Sequence, residues 1–383
     1  MRAATGGPCY DAARVRILLD YRPALRQRTG VGQYVHEMAR ALTPALGEGD
    51  SLVLFSSSWK DRACSSAVPG AQVADARVPV RVLNFAWHRL EWPPVDWFSG
   101  AVDVAHSAHP LLMPARRALR VVTIHDLDFL DHPERTEAEI RRDYPALTAS
   151  HARRADLVVV VSQYTARQVE ARLSVPAARM VVCSPGAPPP VFNPFNASPG
   201  PILFIGTIEP RKNLPVLAAA YEQLTRRRQN VPALVLAGKQ GEQSDLILEQ
   251  LRTKAAAGRV EYRGYVPDEE RQRLYAEASM LVLPSLEEGF GMTVVEAMQA
   301  GVPVIASTRG ALPEVAGDAG ILVDPTSATD ISAAIERLLD STDERRRRVE
   351  AGRAQAARFS WVGSARTLIA AYRDALSRRR AGA

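Results

Sequence analysis

Short apolar runs rich in β-branched residues recur along the chain, and their hydrophobic positions are continuous rather than alternating with polar ones. Such runs are typical of strands buried on both faces of a parallel sheet. In the first half they are VRILLD (15–20), SLVLFSS (51–57), RVVTIHD (120–126), DLVVVVS (156–162) and RMVVCS (179–184). Helical patterns lie between them. In residues 32–42 one helical stripe is apolar, formed by Tyr34, Val35, Met38, Ala39 and Leu42.

The same alternation restarts after a proline-rich segment, PGAPPPVFNPFNASPGP (185–201). The later runs are ILFIGT (202–207), ALVLAG (233–238), VEYRGYV (260–266), MLVLPS (280–285), VPVIAS (302–307) and GILVD (320–324), with helices predicted at 214–228 and 330–340. Strand–helix alternation on both sides of a linker predicts two doubly wound α/β domains. We place the domains at residues 14–190 and 200–360. A last helical segment, SARTLIAAYRDAL (364–376), could pack on either of them.

Composition narrows the class of protein. A chain of 383 residues with 46% hydrophobic and 23% charged residues is typical of a globular protein with more than one core. The three cysteines show neither paired nor metal-ligand spacing, so we expect a reducing, cytosolic setting. Residues 1–13 do not resemble a signal peptide, and no apolar run has the length of a membrane span.

The net charge of +6 comes from arginine-rich stretches such as ERRRR (344–348) and SRRR (377–380). These stretches are either solvated helix faces or attract an anionic lipid surface or substrate. Another such stretch is residues 137–156, which we expect to form an arginine-bearing helix of the N-terminal domain. Aromatic residues do not interleave with the arginine runs, which gives nucleic-acid binding little support.

The segment LEEGFGMTVVEAMQAGVPVIAS (286–307) is the strongest candidate for a site. Glu288 follows a predicted strand, and Gly289 and Gly291 allow a ligand to approach the backbone closely. A helix is predicted from about Thr293 to Gly301, so its free N–H groups could bind phosphate. Eight helical residues would separate Glu288 from Glu296 by about 12 Å, which one nucleotide sugar could span. The alternative is a turn acid and a surface helix acid.

Three further segments follow predicted strands. In GTIEPRKNL (206–214), Arg211 and Lys212 suit a diphosphate that leaves without a metal, or they are a solvated pair. In residues 19–34, Gly30-Val31-Gly32 is half of a dinucleotide fingerprint and a weak signal. His125 ends the run TIHD and is either a site residue or a buried structural histidine. No HxxxH, HExxH or CxxC spacing supports a metal site.

Six motifs occur in order along residues 15–362: TGVGQY, TIHDLDFLDHPE, VSQYTARQV, GTIEPRKNL, GYVPDEE and SLEEGFGMTVVEAMQAGVPVIAS. Together they resemble the family 4 glycosyltransferases, and most of all bacterial mannosyltransferase-type members. The resemblance implies a GT-B fold, in which two Rossmann-like domains face each other across a cleft. The C-terminal helix, at 362–380, would cross back to the N-terminal domain. It also implies a retaining, metal-independent and cofactor-free hexosyltransferase, with GDP-mannose as the first candidate donor.

The resemblance also assigns roles to residues. Glu288 would contact the donor sugar near its reacting carbon, and Glu296 would bind the ribose diol. Arg211 and Lys212 would hold the diphosphate, while His125 would contact the donor sugar. The backbone would bind the remaining donor groups at Gly289, Phe290, Gly291, Met292 and Thr293, with Val266 at the base and Gly30, Val31 and Gly32 at the diphosphate and acceptor.

The acceptor implied is a glycan or lipid-linked glycan of a surface polysaccharide or glycolipid, reached at the inner face of the membrane. One departure is PGAPPPVF (185–192), where relatives usually carry an asparagine before the glycine and an aspartate after it. Two alternatives remain open. A GT-B-fold sugar-nucleotide epimerase would change the sugar without any acceptor, and a non-catalytic nucleotide-sugar-binding subunit would bind the donor without turnover.

Overall fold

The computed structural model describes residues 14–25, 28–136, 138–187, 200–254 and 260–381. The N-terminal thirteen residues and most of the proline-rich linker, including residues 188–192 of its departure from the family pattern, lie outside this part of the chain. The boundaries we placed at 190 and 200 therefore stay a prediction.

The first half forms a seven-stranded parallel sheet in the order β3-β2-β1-β4-β5-β6-β7. Its strands are β1 (Arg16–Asp20), β2 (Ser51–Ser56), β3 (Gln72–Asp75), β4 (Val104–Ser107), β5 (Leu119–Ile124), β6 (Leu157–Val160) and β7 (Met180–Val182). Its helices are α1 (Val31–Ala45), α2 (Val80–Leu90), α3 (Asp96–Ser99), α4 (Asp128–Asp131), α5 (Ala138–Arg154) and α6 (Gln163–Leu173). The continuous apolar runs are buried because helices cover both faces of the sheet.

The second half forms a six-stranded parallel sheet in the order β10-β9-β8-β11-β12-β13. Its strands are β8 (Ile202–Ile205), β9 (Leu234–Ala237), β10 (Val260–Tyr262), β11 (Met280–Leu283), β12 (Val304–Ser307) and β13 (Ile321–Val323). The helices that follow are α7 (Leu214–Arg227), α8 (Ser244–Lys254), α9 (Asp268–Glu277), α10 (Met292–Ala300), α11 (Leu312–Ala316), α12 (Ala328–Asp340), α13 (Thr342–Ala356) and α14 (Trp361–Ala381). Both sheets thus have the predicted doubly wound α/β architecture.

The last helix, α14, belongs to the second half by sequence but packs on the first. It lies along α1 and reaches the central strands, where the Tyr372 hydroxyl is 2.5 Å from Nδ1 of His106 on β4. The Ser364 hydroxyl donates to the carbonyl of Ser184 just after β7. The expectation that the C-terminal helix crosses back to the N-terminal domain is confirmed.

Strand order also indicates where a ligand can bind. In the second sheet β8 and β11 are neighbours, although β9 and β10 separate them in sequence. The chain leaves β8 toward one side and β11 toward the other, which opens a crevice at their carboxyl ends. In the first sheet β1 and β4 have the same relation. The two crevices face each other across the domain boundary.

Candidate active site

The predicted site residues come together in one cleft between the two domains, with a volume of about 220 Å³. Of these predicted residues, Gly30, Val31 and His125 line the cleft from the first domain, and the others line it from the second. These are Arg211, Lys212, Val266, Glu288, Gly289, Phe290, Gly291, Met292, Thr293 and Glu296. Residues that lie up to 266 positions apart in the sequence therefore share one surface.

Gly32 is the one predicted site residue that does not line this cleft. It is buried in the first turn of α1, where a Cβ would lie 2.5 Å from the carbonyl oxygen of Pro23. The absence of a side chain therefore lets the turn after β1 pack against α1. Gly30, by contrast, has a φ of +50° and precedes α1 at the cleft.

A buried ion cluster lies at the carboxyl ends of β8 and β11. Arg211 Nη1 donates to Glu288 Oε2 at 3.0 Å, and Lys212 Nζ donates to Glu288 Oε1 at 2.5 Å. The Ser285 hydroxyl donates to the same carboxylate at 2.7 Å. Burial acts to raise the pKa of Glu288, but Lys212 and Arg211 hold it at about 2. Glu288 is therefore ionised at neutral pH.

The cations owe their position to the turn between β8 and α7. Pro210–Lys212 forms a single 3-10 turn, which ends at Asn213 with a φ of +57°. The Asn213 side chain anchors the turn by donating to the carbonyls of Pro284 and Pro325. Arg211 Nη2 also donates to Glu209 Oε1 at 2.8 Å. Two adjacent positive charges are thus fixed on the wall of the cleft.

The donor loop, which we define as residues 289–293, connects Glu288 to α10. Gly291 precedes the helix with a φ of +96°, a conformation that favours glycine. Phe290 anchors the loop through an edge contact with Phe359, with ring centroids 5.3 Å apart. Because the first N–H groups of a helix lack partners within it, this end of α10 can bind negatively charged oxygen.

Glu296 faces the cleft from α10, with 7% of its surface exposed. The Tyr275 hydroxyl donates to its Oε2 at 3.0 Å, and Arg271 Nη1 lies 3.6 Å from Oε1. Burial raises the pKa of Glu296, an effect that Arg271 and the Tyr275 hydroxyl oppose. Glu296 is therefore a buried, oriented acceptor and not the surface acid of the alternative interpretation.

His125 lies on the opposite wall, just after β5. Burial lowers its pKa to about 4, so the ring is neutral near pH 7. Its Nε2 is 3.1 Å from the carbonyl oxygen of Ala108, which requires the proton on that nitrogen. The ring also makes an edge contact with Tyr34, with centroids 5.0 Å apart. It is therefore held in one orientation at the edge of the cleft.

Several cleft and cleft-supporting residues were missed by the sequence interpretation, among them Tyr34, Arg271, Tyr275 and Ser285. Arg271 and Tyr275 are four positions apart on α9, so they share a helix face. That spacing, directly after the motif GYVPDEE, is the signal that could have found them. In the described part of the chain, no group of three or more His, Cys, Asp and Glu side chains could hold a metal ion.

The comparisons with known proteins agree with this geometry. The family model described as Glycosyltransferase Family 4 matches residues 28–189, and that of Glycosyl transferases group 1 matches residues 192–355. The O-antigen chain mannosyltransferase B of Escherichia coli is 30% identical over 94% of this chain and all of its own length. The chain belongs to the family 4 glycosyltransferases. Its class of enzyme is therefore that of a glycosyltransferase.

Three further similarities concern one partial relative and two solved structures that resemble this glycosyltransferase in fold. The MMP α-(1→4)-mannosyltransferase of Mycolicibacterium hassiacum is 44% identical over 29% of this chain and 28% of its own. The structure of sucrose-phosphate synthase from Thermosynechococcus elongatus superposes with a TM-score of 0.76 at 20% identity, covering 95% of this chain and all of that one. The structure of Anabaena HepE in complex with UDP-glucose superposes with a TM-score of 0.66 at 17% identity. It covers 97% of this chain and all of that one. These structures confirm the GT-B fold.

No helix in the described residues of the glycosyltransferase is both long enough and apolar enough to span a membrane.

Proposed function

We propose that this glycosyltransferase moves a hexose from a nucleotide diphosphate sugar to a glycan or lipid-linked acceptor, with retention of configuration and without a metal ion. The observation that carries the proposal is the buried cluster of Arg211, Lys212 and Glu288 beside the N-terminus of α10. Two cations and a helix dipole provide the positive potential that a diphosphate requires. We propose no cofactor.

The cluster suits charge separation at the reacting carbon. When the bond between that carbon and the diphosphate oxygen breaks, negative charge grows on the diphosphate and positive charge on the sugar. Arg211, Lys212 and the amides of the donor loop would stabilise the departing diphosphate. Glu288 would orient the sugar and favour its positive charge. Since it also holds both cations, Glu288 would act on both sides of the breaking bond.

The rest of the donor would extend along α10 toward α9. Glu296 would accept hydrogen bonds from the ribose hydroxyls, and the backbone at Val266 would contact the base. Tyr265 and Gly238 line the same end of the cleft. From the first domain, Gly30 and Val31 would approach the diphosphate and acceptor, and the oriented His125 would contact the donor sugar. Because both domains contribute, the proposal requires them to be close together during transfer.

The names of several relatives support mannose as the transferred sugar. Relatives with mannosyltransferase in their names include the O-antigen chain enzyme, the Mycolicibacterium enzyme and the serotype-specific mannosyltransferase WbdA of Escherichia coli. WbdA is 34% identical over 44% of this chain and 21% of its own length. The first of these acts on an O-antigen chain, which supports a surface polysaccharide as acceptor here. GDP-mannose is therefore the first donor to test, and UDP-hexoses are the second.

A thermal-shift screen against a panel of nucleotide sugars in the presence of EDTA tests the donor proposal. We expect GDP-mannose, or failing that a UDP-hexose, to raise the Tm, because a ligand that binds only the folded state stabilises it. Loss of the shift on chelation would refute metal-free binding, and unchanged Tm values across the panel would refute the donor site. Conversion of the sugar without any acceptor would indicate the epimerase instead.

We also propose that the N-terminal domain contacts an anionic membrane surface from the cytoplasmic side. The predicted arginines of α5 are partly engaged: Arg154 makes two hydrogen bonds to Glu91, and Arg141 donates to the carbonyl of Thr136. Exposed apolar side chains are concentrated nearby, on α2 and the segment after it. They are Val82, Phe85, Leu90, Trp92 and Trp97, with the exposed Arg81 and Arg89 beside them on α2. Apolar and cationic groups together suit an interface with anionic lipid.

A further inference from the structure

The motif VSQYTARQV has no role in the site described so far, yet it makes a dense set of contacts with the opposite domain. Its first residues form the start of α6, directly after β6. We call Ser162, Gln163, Tyr164 and Thr165 the α6 clasp. Each of them donates at least one hydrogen bond to a residue of the C-terminal domain.

The first contact is with the donor loop itself. The Ser162 hydroxyl donates to the carbonyl oxygen of Gly289 at 2.7 Å, and the Thr165 hydroxyl lies 3.2 Å from the same oxygen. Ser162 is fully buried. Gly289 is pressed so closely against the first domain that a Cβ would lie 1.8 Å from the carbonyl oxygen of His125. The donor loop and the loop that carries His125 therefore touch backbone to backbone.

The second contact provides hydrogen-bond acceptors for the free N–H groups at the N-terminus of α6. The backbone N–H groups of Gln163 and Tyr164 donate to Oε1 and Oε2 of Glu314, both at 2.9 Å. Glu314 lies on α11 of the C-terminal domain. A helix N-terminus favours a carboxylate because its free N–H groups and its dipole are both positive. Here that carboxylate comes from the other domain, so the ideal partner is present only when the domains are together.

The third contact joins the side chains of Tyr164 and Glu287. The Tyr164 hydroxyl donates to Oε2 of Glu287 at 3.1 Å, one residue before Glu288. The clasp thus holds the chain on either side of Glu288, at Glu287 and at Gly289. A peptide group is planar, so fixing the Gly289 carbonyl toward Ser162 directs the N–H of Phe290 to the opposite side.

We propose that the α6 clasp is the device by which the N-terminal domain positions the donor loop, with Ser162 as a positioning residue and Glu314 as the residue that holds the domains closed. It rests on the proposed function, in which the amides of the donor loop bind the diphosphate sugar. The loop reaches its working geometry only in the closed arrangement, because Ser162 belongs to the first domain and Gly289 to the second.

Two variants separate the two roles, and each has a matched control. Ser162→Gly removes the hydroxyl that holds the Gly289 carbonyl, and glycine is itself a tolerable N-cap. Its control is Ser341→Gly, because Ser341 is likewise a serine N-cap, at α13, and its hydroxyl accepts from the Glu344 backbone N–H of its own helix. Glu314→Ala removes the carboxylate that joins the domains, and Glu350→Ala, at an exposed position of α13, is its control.

The measurements are the Tm, the radius of gyration in solution without donor, and kcat and KM with the donor that stabilises the wild type. We expect Ser162→Gly to lower kcat by roughly tenfold or more with KM little changed, since the Phe290 amide is no longer held in its preorganised direction. We expect Glu314→Ala to enlarge the radius of gyration and to lower kcat/KM by roughly tenfold or more, since charge-assisted hydrogen bonds favour closure. The two control variants should keep wild-type kinetics and size.

The clasp is refuted if Ser162→Gly and Ser341→Gly have the same kcat, or if Glu314→Ala has the size and kinetics of Glu350→Ala. Should Ser162→Gly fail to fold, the Glu314→Ala comparison decides alone. The radius of gyration needs no donor, so it tests closure even where the donor proposal fails. Conversely, a wild type that no nucleotide sugar stabilises would refute the donor site and leave the closure result standing.

Discussion

At the scale of single residues, the two cations beside Glu288 carry the largest share of the proposed chemistry. Arg211 and Lys212 are fixed before any donor arrives, so they can stabilise charge that develops on the diphosphate without reorganising. We expect Arg211→Ala or Lys212→Ala to lower kcat by roughly 10²-fold or more, by analogy with the loss of one preorganised donor. Steady-state kinetics measure this, with the exposed Arg226→Ala of α7 as control. A change of only a few-fold would remove both residues from the proposed mechanism.

A neighbouring carboxyl gives a pH-dependent prediction. Burial raises the pKa of Glu287 to about 7, with Asp126 and Asp128 adding to the effect against the Tyr164 hydroxyl and Arg211. A carboxyl with a raised pKa favours folding while it is protonated, and this contribution is lost as the pH rises from about 4.5 through about 7. Relative to Glu287→Gln, the wild type should therefore lose free energy of unfolding across that window. Urea unfolding at pH 5 and pH 8 tests this, and a constant difference between the two proteins would contradict it.

The site residues that the sequence predicted are those whose place in the fold follows from the order of strands and loops along the chain. Arg211 and Glu288 lie in the loops that follow strands β8 and β11, and the edge at which parallel strands end is fixed by the fold. The partners of Glu296 were missed because Arg271 and Tyr275 belong to another helix and meet it only through packing. The role of Gly32 was also not foreseen, since its contact with Pro23 depends on the path of the turn after β1.

At the scale of secondary-structure elements, burial on both faces explains which strands were found. All of the apolar runs identified in the sequence contain a strand. Two strands were not identified, β3 with the sequence QVAD and β4 with VAHS. Each has only four residues, two of them polar, so neither gives a continuous apolar run. In β4 the polar side chain of His106 is buried against Thr123 and Tyr372, contacts that only the tertiary structure reveals.

Helices α2 and α5 of the N-terminal domain give a prediction at the same scale. If their arginines and exposed apolar side chains contact lipid, the protein should float with anionic liposomes at low salt and less at high salt, because salt screens the attraction. Neutral liposomes should retain less protein. Replacing both Phe85 and Trp92 by serine should weaken flotation under all conditions. Trp59→Ser should not, because Trp59 is likewise exposed to solvent but lies outside α2, α5 and the segment after α2. Equal partitioning in all conditions would leave the arginines as a solvated helix face.

At the scale of the whole molecule, the GT-B architecture follows from features that the sequence carries: two alternating halves, a proline-rich linker and six motifs in order. What the sequence does not carry is the arrangement of one domain on the other. Ser162 and Gly289 are 127 positions apart, and Gln163 and Glu314 are 151 apart. No local pattern marks such pairs, so the α6 clasp becomes visible only when both domains are placed.

Within the cleft, Glu288 and Glu296 would act on different parts of one donor. Glu296 would hold the ribose, far from the bond that breaks, so its loss should weaken binding by one or two charge-assisted hydrogen bonds of roughly 1.5–3 kcal/mol each. Glu288 holds both cations and would orient the sugar, so its loss should act mainly on the transition state.

Steady-state kinetics of Glu288→Gln and Glu296→Gln, with the donor that stabilises the wild type, test this claim most directly. We expect Glu296→Gln mainly to raise the donor KM, and Glu288→Gln to lower kcat more than it raises KM. The reverse pattern, in which Glu296→Gln loses kcat and Glu288→Gln loses only affinity for the donor, would contradict it.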